Sequence, residues 1–268
     1  MSTDLSAQDY VATVEGDSGP PVLLLAGGAS SSHGFFPGLV EALAGHRVIS
    51  LDRPGTGRAQ DLGRATLATG SAAAADVVRS LGAGPAVVVG QSLGGAQAVQ
   101  FATDHPDLVA GLVLIDPTPL DTPGQLRMAK RLFWLFGLPG RLPVVGKALD
   151  AKLFQSLGGH VAPGAEEAFR VMTTSASLNV TVRALDKTID ETAALVGRVA
   201  RLDVPAVLLT ADRKATHEVR LSHERLAERL GARVVAPAGA VHAEMLRDPQ
   251  GVNGLVLQVV AEAAARQG

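Results

Sequence analysis

Cysteine is absent from the 268 residues of the chain, and aromatic residues make up only 3% of it. A chain without cysteine can form no disulfide framework and no metal site with thiolate ligands. Because aromatic rings are scarce, alanine, valine, leucine and glycine must supply most of the buried core. The two absences therefore exclude a small disulfide scaffold and leave room for a conventional globular core.

An excess of one charge sign and long apolar runs are also missing. The 24 Lys and Arg residues nearly balance the 26 Asp and Glu residues, and no basic block is present, so we expect no nucleic-acid partner. No uncharged apolar run reaches the roughly 18 residues that a membrane helix needs. Residues 1–5 contain no positive segment of the secretory type. We therefore expect a cytoplasmic protein without stable membrane insertion.

Strand and helix patterns alternate along most of the chain, which predicts an α/β fold with a mostly parallel central sheet flanked by helices. The predicted strands are 9–15, at an edge of the sheet, and then 22–25, 47–52, 87–89, 112–115, 204–209 and 233–236. From 120 to 202 the strand pattern is replaced by helical segments between prolines and glycines. We therefore predict a core formed by 1–119 and 203–268, and a helical cap formed by 120–202.

The most informative segment is 87–95, where a valine run leads into Gly90-Gln91-Ser92-Leu93-Gly94-Gly95. Gly-x-Ser-x-Gly between a strand and a helix is typical of a nucleophile elbow, in which a sharp turn exposes the serine hydroxyl. Gly90 and Gly94 suit the close packing of such a turn. The amide of Leu93, at the start of the helix, points towards charge that develops beside Ser92, so it is a candidate oxyanion donor.

Other candidate residues follow the remaining predicted strands. In a parallel sheet, ligands bind outside the carboxyl ends of the strands. The loop after 22–25 is rich in glycine and serine but lacks the lysine of a phosphate-binding loop, and Gly28 there is a candidate second oxyanion donor. Of the seven histidines, His242 alone follows a late core strand. It is the candidate general base, whereas His223 is expected on the surface of a late helix.

These motifs together resemble the serine α/β-hydrolase fold family, and the resemblance covers the whole chain except 120–202. The matching motifs are the loop Leu25-Ala26-Gly27-Gly28, the turn that begins at Asp52-Arg53-Pro54-Gly55, the elbow, the strand ending at Asp116, and His242 ahead of Asp248-Pro249. The resemblance implies that Ser92 is the nucleophile, His242 the base, and Gly28 and Leu93 the oxyanion donors. It also implies that 120–202 is the cap of an esterase-like or lipase-like enzyme.

The acid of the expected triad has two candidates. Members of the family usually carry it in a Gly-x-x-Asp pattern after the strand 204–209, but here Lys214 stands at the position of that aspartate. Asp212 lies two residues earlier and remains the alternative acid. Asp116 ends the strand 112–115, where a minority of the family places its acid, and it is our first choice.

The predicted function is hydrolysis of a small-to-medium apolar carboxylic ester, thioester or lactone through an acyl-enzyme, with no cofactor and no metal. Phe133 and Trp134, in an apolar stretch of the cap, are candidates for binding the substrate. A cofactor-free lyase, dioxygenase or perhydrolase of the same fold is an alternative, and a ligand-binding protein with a vestigial site is another. The only partner that we expect is the small-molecule substrate.

Overall fold

The computed structural model describes residues 2–6, 9–28, 30–82, 84–124, 126–127, 161–173 and 188–267. The predicted pocket residues Phe133 and Trp134 lie outside these ranges, as does most of the predicted cap. The boundary of the cap at 120 and 202 therefore stays a prediction. No helix in the described ranges combines the length and the apolar character that crossing a membrane requires.

A single sheet of eight strands organises the described residues, in the order β1-β2-β4-β3-β5-β6-β7-β8. The strands from β3 to β8 pair in parallel, and β2 pairs in antiparallel orientation with both β4 and β1. The strands are β1 Ser2–Ser6, β2 Val11–Glu15, β3 Pro21–Leu25, β4 Arg47–Asp52, β5 Ala86–Gln91, β6 Val109–Ile115, β7 Ala206–Leu209 and β8 Arg233–Val235. The predicted α/β class with a mostly parallel sheet is confirmed.

The prediction that 9–15 forms the edge of the sheet is wrong. Strand β2 lies between β1 and β4, and β1 is the outermost strand. Four of the five residues of β1 are exposed, and Leu5 alone is half-buried. A strand that buries so little apolar surface leaves no hydrophobic pattern in the sequence, which is why it was missed.

Helices cover both faces of the sheet because its strands are apolar on both sides. The helices with complete bounds are α1 Leu39–Ala42, α2 Leu67–Ser80, α3 Leu93–Asp104, α4 Glu166–Thr173, α5 Glu218–Leu230, α6 Glu244–Arg247 and α7 Pro249–Gln267. Buried residues of α2, α3 and α5 share one core cluster with Val88 of β5. Residues of α1, α4, α6 and α7 share the opposite cluster with Val87 and Val89. Successive side chains of β5 point to opposite faces of the sheet, so the core has two layers, one on each face.

The described parts of 120–202 lie against the core. Helix α4 contributes Ala168 to the second core cluster, and Phe169 and Met172 pack against it. A further helical segment, 188–196, places the Glu191 carboxylate 2.8 Å from the backbone nitrogen of Leu67 at the start of α2. An acidic group beside the first turn of a helix accepts an otherwise unpaired N–H group and favours the helix dipole. This contact fixes 188–196 beside the carboxyl end of the sheet.

Candidate active site

The site is built around the turn between β5 and α3. Ser92 occupies this turn with φ 50° and ψ −116°, a conformation that a residue with a side chain rarely adopts. Glycine is required two residues before Ser92 and two residues after it. A Cβ atom at Gly90 would collide with the carbonyl oxygen of Gly94, and one at Gly94 would collide with the carbonyl oxygen of Leu25. The predicted strand, sharp turn and helix are therefore present.

Backbone hydrogen bonds lock this turn to the end of β6. The Ser92 nitrogen donates to the carbonyl oxygen of Ile115 at 3.1 Å, and the Thr118 nitrogen donates to that of Ser92 at 2.8 Å. Asp116 lies between these bonds and has φ 40°. Among the described residues, Ser92 and Asp116 are the only non-glycine residues with positive φ. Such strain is concentrated at functional sites, where the surrounding structure holds it in place.

The side chains of Ser92, His242 and Asp116 form one hydrogen-bonded chain. Nε2 of His242 lies 3.0 Å from Oγ of Ser92, and Nδ1 lies 2.5 Å from Oδ2 of Asp116. Asp116 is 1% exposed, whereas the His242 side chain is 43% exposed and faces the carboxyl end of the sheet. Because an ionised carboxylate only accepts hydrogen bonds, it assigns the ring proton to Nδ1. Nε2 is then free to accept the serine proton.

The buried carboxylate of Asp116 has two further partners. Arg213 donates from Nη1 to Oδ1 at 2.6 Å and from Nη2 to Oδ2 at 2.7 Å, and the Ala211 nitrogen donates to Oδ1 at 2.9 Å. Burial alone would raise the pKa of Asp116, but the hydrogen bonds from Arg213 and His242 outweigh it and hold this pKa well below its usual range. Asp116 is therefore an anion at any pH where the protein would be assayed.

The alternative acid, Asp212, points elsewhere. Its Oδ2 accepts a hydrogen bond from the Gly239 nitrogen at 2.7 Å, and its side chain is exposed. Its own nitrogen donates to the Ala240 carbonyl oxygen at 2.8 Å, which turns this residue towards the loop ahead of His242. Lys214, at the position usual for the acid, is also exposed. The structure thus brings Asp116, and not Asp212, to the imidazole.

His223 was expected at the surface, and this prediction is wrong. Its side chain is fully buried, with Nε2 2.7 Å from the carbonyl oxygen of Pro117 and Nδ1 2.8 Å from Oγ1 of Thr210. The carbonyl can only accept, so Nε2 carries the proton and Nδ1 accepts from the Thr210 hydroxyl. Burial lowers the pKa of His223, although the charge of Asp116 partly opposes this. The signal was present in the sequence, because His223 shares a helical face with Leu226 and Leu230.

Gln91 ties the elbow to the histidine loop. Its Nε2 donates to the carbonyl oxygen of His242 at 3.0 Å, while its Oε1 is buried without a hydrogen-bond partner and lies against Gly27. A Cβ atom at Gly27 would collide with this oxygen. In the sequence, Gln91 is only the variable residue of the elbow motif. The structure shows that its side chain connects the serine turn with the backbone of His242.

A buried arginine braces the loop that contains Gly28. Nη2 of Arg53 donates to the carbonyl oxygens of Ala26 and Gly28, at 3.2 and 2.9 Å. Arg53 is 4% exposed, and burial lowers its pKa to about 10. Because both carbonyls are held by the guanidinium, the peptide planes of this loop have a fixed orientation. The sequence placed Arg53 after a core strand but did not indicate this contact.

The two candidate oxyanion donors lie on segments that pack against each other. Leu93 is the first residue of α3, where backbone N–H groups have no partner inside the helix. The start of α3 packs on the end of β3, as the close approach of Gly94 to Leu25 requires. Gly28 follows β3 with φ 55°.

A small cavity adjoins this region, and its wall includes Arg53, Thr56, Leu67, Leu93, Gln97 and Thr188. Among the described side chains, no group of three or more acidic or histidine residues could hold a metal ion.

Comparison with known proteins identifies relatives of this chain. Over 106 residues the chain is 38% identical to an esterase of Mycobacterium tuberculosis, a match that covers 39% of this chain and 35% of the esterase. Over 117 residues it is 36% identical to the lipase LipV of the same organism, covering 44% of this chain and 43% of the lipase. The chain thus matches less than half the length of these curated relatives.

Solved structures resemble the chain over nearly its whole length. A thermophilic esterase from Thermogutta terrifontis has a TM-score of 0.73 at 19% identity, covering 98% of this chain and 99% of the esterase. The epoxide hydrolase CorEH has a TM-score of 0.68 at 20% identity, covering 97% of this chain and 99% of that protein. At these identities the likeness establishes the fold.

A family model provides the remaining comparison. The model of the alpha/beta hydrolase fold matches residues 20–213, which is well over half of the chain. The match includes the elbow, Asp116 and Arg213. The chain belongs to the alpha/beta hydrolase fold family.

Proposed function

We propose that this protein is a serine hydrolase that cleaves a small-to-medium, mainly apolar carboxylic ester, thioester or lactone through an acyl-enzyme. The observation that supports this most strongly is the continuous chain of hydrogen bonds from Ser92 through His242 to Asp116, at 3.0 and 2.5 Å. A serine hydroxyl is a weak nucleophile at neutral pH and needs a base within hydrogen-bond reach. In this proposal Ser92 is the nucleophile, His242 the base and Asp116 the acid.

Acylation begins with transfer of the Ser92 proton to Nε2 of His242 while the serine oxygen attacks the substrate carbonyl carbon. Asp116 stays ionised and stabilises the imidazolium through Nδ1. The amides of Leu93 and Gly28 would donate to the oxygen that becomes negative in the tetrahedral intermediate. Collapse of the intermediate breaks the bond between the acyl carbon and the leaving oxygen or sulfur, which takes the proton from Nε2. An ester or thioester then releases an alcohol or a thiol, whereas the new hydroxyl group of an opened lactone stays attached to the acyl chain.

Deacylation repeats these steps with water as the nucleophile. His242 accepts a proton from water, the hydroxide attacks the acyl carbon, and the bond to Ser92 then breaks. The serine oxygen regains the proton from Nε2, and a carboxylic acid leaves the site. The 43% exposure of the His242 side chain supports this step, because water must reach Nε2.

The proposed substrate class is supported by apolar side chains near the start of α3 and by the apolar stretch of the sequence that contains Phe133 and Trp134. Pro54, Ala65, Leu67 and Leu93 contribute apolar surface to the adjoining cavity. Small ligand sites are lined mainly by such side chains, with a few polar groups that fix orientation. We therefore propose a mainly apolar acyl group. The curated relatives named esterase and lipase are consistent with ester chemistry.

The test is stopped-flow kinetics with p-nitrophenyl butyrate. The wild-type protein should release a burst of p-nitrophenolate equal to the concentration of active sites, followed by a slower steady rate. Ser92→Ala should abolish the burst and lower turnover by a factor of about 10⁶, as loss of the nucleophile does in other triad enzymes. Ser18→Ala, in the exposed turn between β2 and β3, is the matched control and should behave like wild type.

Two results would overturn the proposal. One is turnover of esters that Ser92→Ala leaves unchanged, because the reaction would then not pass through the serine. The other is absence of both burst and turnover across p-nitrophenyl esters from acetate to octanoate. That second result would favour the lyase, dioxygenase or perhydrolase chemistry of the same fold, or a ligand-binding protein.

A further inference from the structure

Arg213 makes the most unusual contact near the site. Its guanidinium forms two parallel hydrogen bonds with the carboxylate of Asp116, at 2.6 and 2.7 Å, and its side chain is only 21% exposed. Oδ2 of Asp116 accepts two hydrogen bonds, one from Nη2 of Arg213 and one from Nδ1 of His242. One carboxylate therefore lies between a permanent cation and the imidazole. Bidentate pairs of this kind combine strong attraction with a fixed relative orientation.

The position of Arg213 explains the departure of this chain from the usual family pattern. Members of the family usually carry an acid after the strand that corresponds to β7. Here Arg213 extends from that segment towards the end of β6 and neutralises the acid that lies there instead. A lysine at 214 and an arginine at 213 are thus compatible with a working triad because the acid has moved to Asp116.

We propose that Arg213 is a positioning residue that fixes the plane of the Asp116 carboxylate and extends the activity of His242 to lower pH. This inference rests on the proposed function, since it assigns Arg213 a task within the triad. Arg213 does not contact the reacting atoms. It acts through Asp116, whose charge it partly neutralises.

The sign of the effect follows from the charges that surround Asp116. The groups that face its carboxylate are Arg213, His242, the Ala211 amide and His223, whose Nδ1 lies 3.7 Å from Oδ1. His223 is buried and bonded as a neutral ring, so Arg213 is the only permanent cation among them. A cation on the far side of the carboxylate makes the imidazolium form of His242 less favourable. Removing this cation should therefore favour protonation of the imidazole.

Replacing Arg213 by glutamine removes this charge and keeps a polar side chain. Asp116 then acts on His242 with its full negative charge, so the imidazole should take up its proton at a higher pH. A unit charge on the far side of a carboxylate, at an effective dielectric constant of about 40, corresponds to a shift of roughly one pH unit. Arg213→Lys keeps the charge and loses the planar fork, so its midpoint should lie close to that of wild type.

Two measurements test the inference on wild type, Arg213→Gln, Arg213→Lys and the control Lys214→Gln. The first is the acidic midpoint of kcat/KM for p-nitrophenyl butyrate. The second is the midpoint of the His242 ring-proton titration by NMR, with the resonance identified by its loss in His242→Asn. We expect both midpoints to rise by about one unit in Arg213→Gln. Lys214 is exposed and adjacent in sequence, so Lys214→Gln should leave both midpoints unchanged.

The outcomes separate this inference from the proposed function. If Arg213→Gln lowers the plateau of kcat/KM without moving either midpoint, Arg213 is merely structural and the inference is wrong. An equal shift in Lys214→Gln would also overturn it, because the effect would then come from general surface charge. If no Ser92-dependent turnover exists, the proposed function fails, and the NMR midpoint still decides whether Arg213 controls protonation of His242.

Discussion

Replacement of Asp116 by asparagine is the sharpest test of how the site is assembled. Arg213 and the Ala211 amide present three N–H donors to the carboxylate. An asparagine at this position has one oxygen, and Nη1 of Arg213 and the Ala211 amide, the two donors to Oδ1, will hold that oxygen at the Oδ1 position. Its NH2 group is then turned towards Nδ1 of His242, which now lies 2.5 Å from Oδ2.

This orientation imposes the wrong tautomer on the imidazole. Nδ1 would have to accept a hydrogen bond from the amide, so the ring proton moves to Nε2. Nε2 then donates towards Ser92 and cannot take its proton. Loss of the acid in this way lowers kcat by about 10⁴ in triad enzymes, which corresponds to about 5 kcal/mol of transition-state stabilisation. We expect a loss of that order, with little change in KM.

Asp212→Asn is the matched control, since both substitutions exchange a carboxylate for an amide within the same loop region. Among the described residues, Asp212 accepts a hydrogen bond only from the Gly239 amide, and an asparagine oxygen can still accept it. We expect its kcat/KM to stay within about threefold of wild type, because exposed polar contacts contribute little. Burst kinetics with p-nitrophenyl butyrate measure both variants, and urea unfolding verifies that both are folded. The assignment of Asp116 is refuted if Asp116→Asn keeps more than a tenth of wild-type kcat, or if Asp212→Asn loses as much.

Two further predictions concern the framework of the site. Gly94→Ala places a Cβ atom against the carbonyl oxygen of Leu25 and should destabilise the protein by about 3 kcal/mol in urea unfolding. The control Gly254→Ala, in open space on α7, should stabilise it by about 0.5 to 1 kcal/mol, and equal effects of the two would contradict the packing argument. Burial lowers the pKa of His223, so below about pH 6.5 the unfolded chain binds a proton that the folded chain does not. The free energy of unfolding should therefore decrease as the pH is lowered, by at most about 1.4 kcal/mol per pH unit. His223→Gln should remove this part of the pH dependence, and an unchanged slope between pH 6.5 and 5 would show that His223 is not its source.

Much of the fold could be predicted because its signals are local. The valine run of β5, the glycines around Ser92 and the alternation of strands and helices each report on a neighbourhood of a few residues. Their physical basis is burial on both faces of a parallel sheet and the close packing of a sharp turn. Strand β1 was missed for the complementary reason, since its residues are mostly exposed and carry no apolar pattern.

The surroundings of the acid could not be predicted, because they depend on contacts between distant segments. Asp116 and Arg213 are 97 residues apart in the chain, and His242 is 126 residues from Asp116. The sequence showed that a lysine stood where an acid was expected, and this left Asp116 and Asp212 as alternatives. Only the pairing of β6 with β7 places the Arg213 guanidinium on the Asp116 carboxylate.

The same pairing argues that the site is a single electrostatic unit rather than three residues on a scaffold. A carboxylate that is 1% exposed is expensive to bury unless its charge is compensated. Arg213 provides that compensation permanently. In the proposed mechanism His242 adds to it when its ring becomes positive, so the arginine allows the acid to remain buried and ionised before substrate binds. An acid placed after β7 would leave Arg213 without the buried carboxylate that it neutralises here. The positions of Asp116 and Arg213 are therefore best understood together.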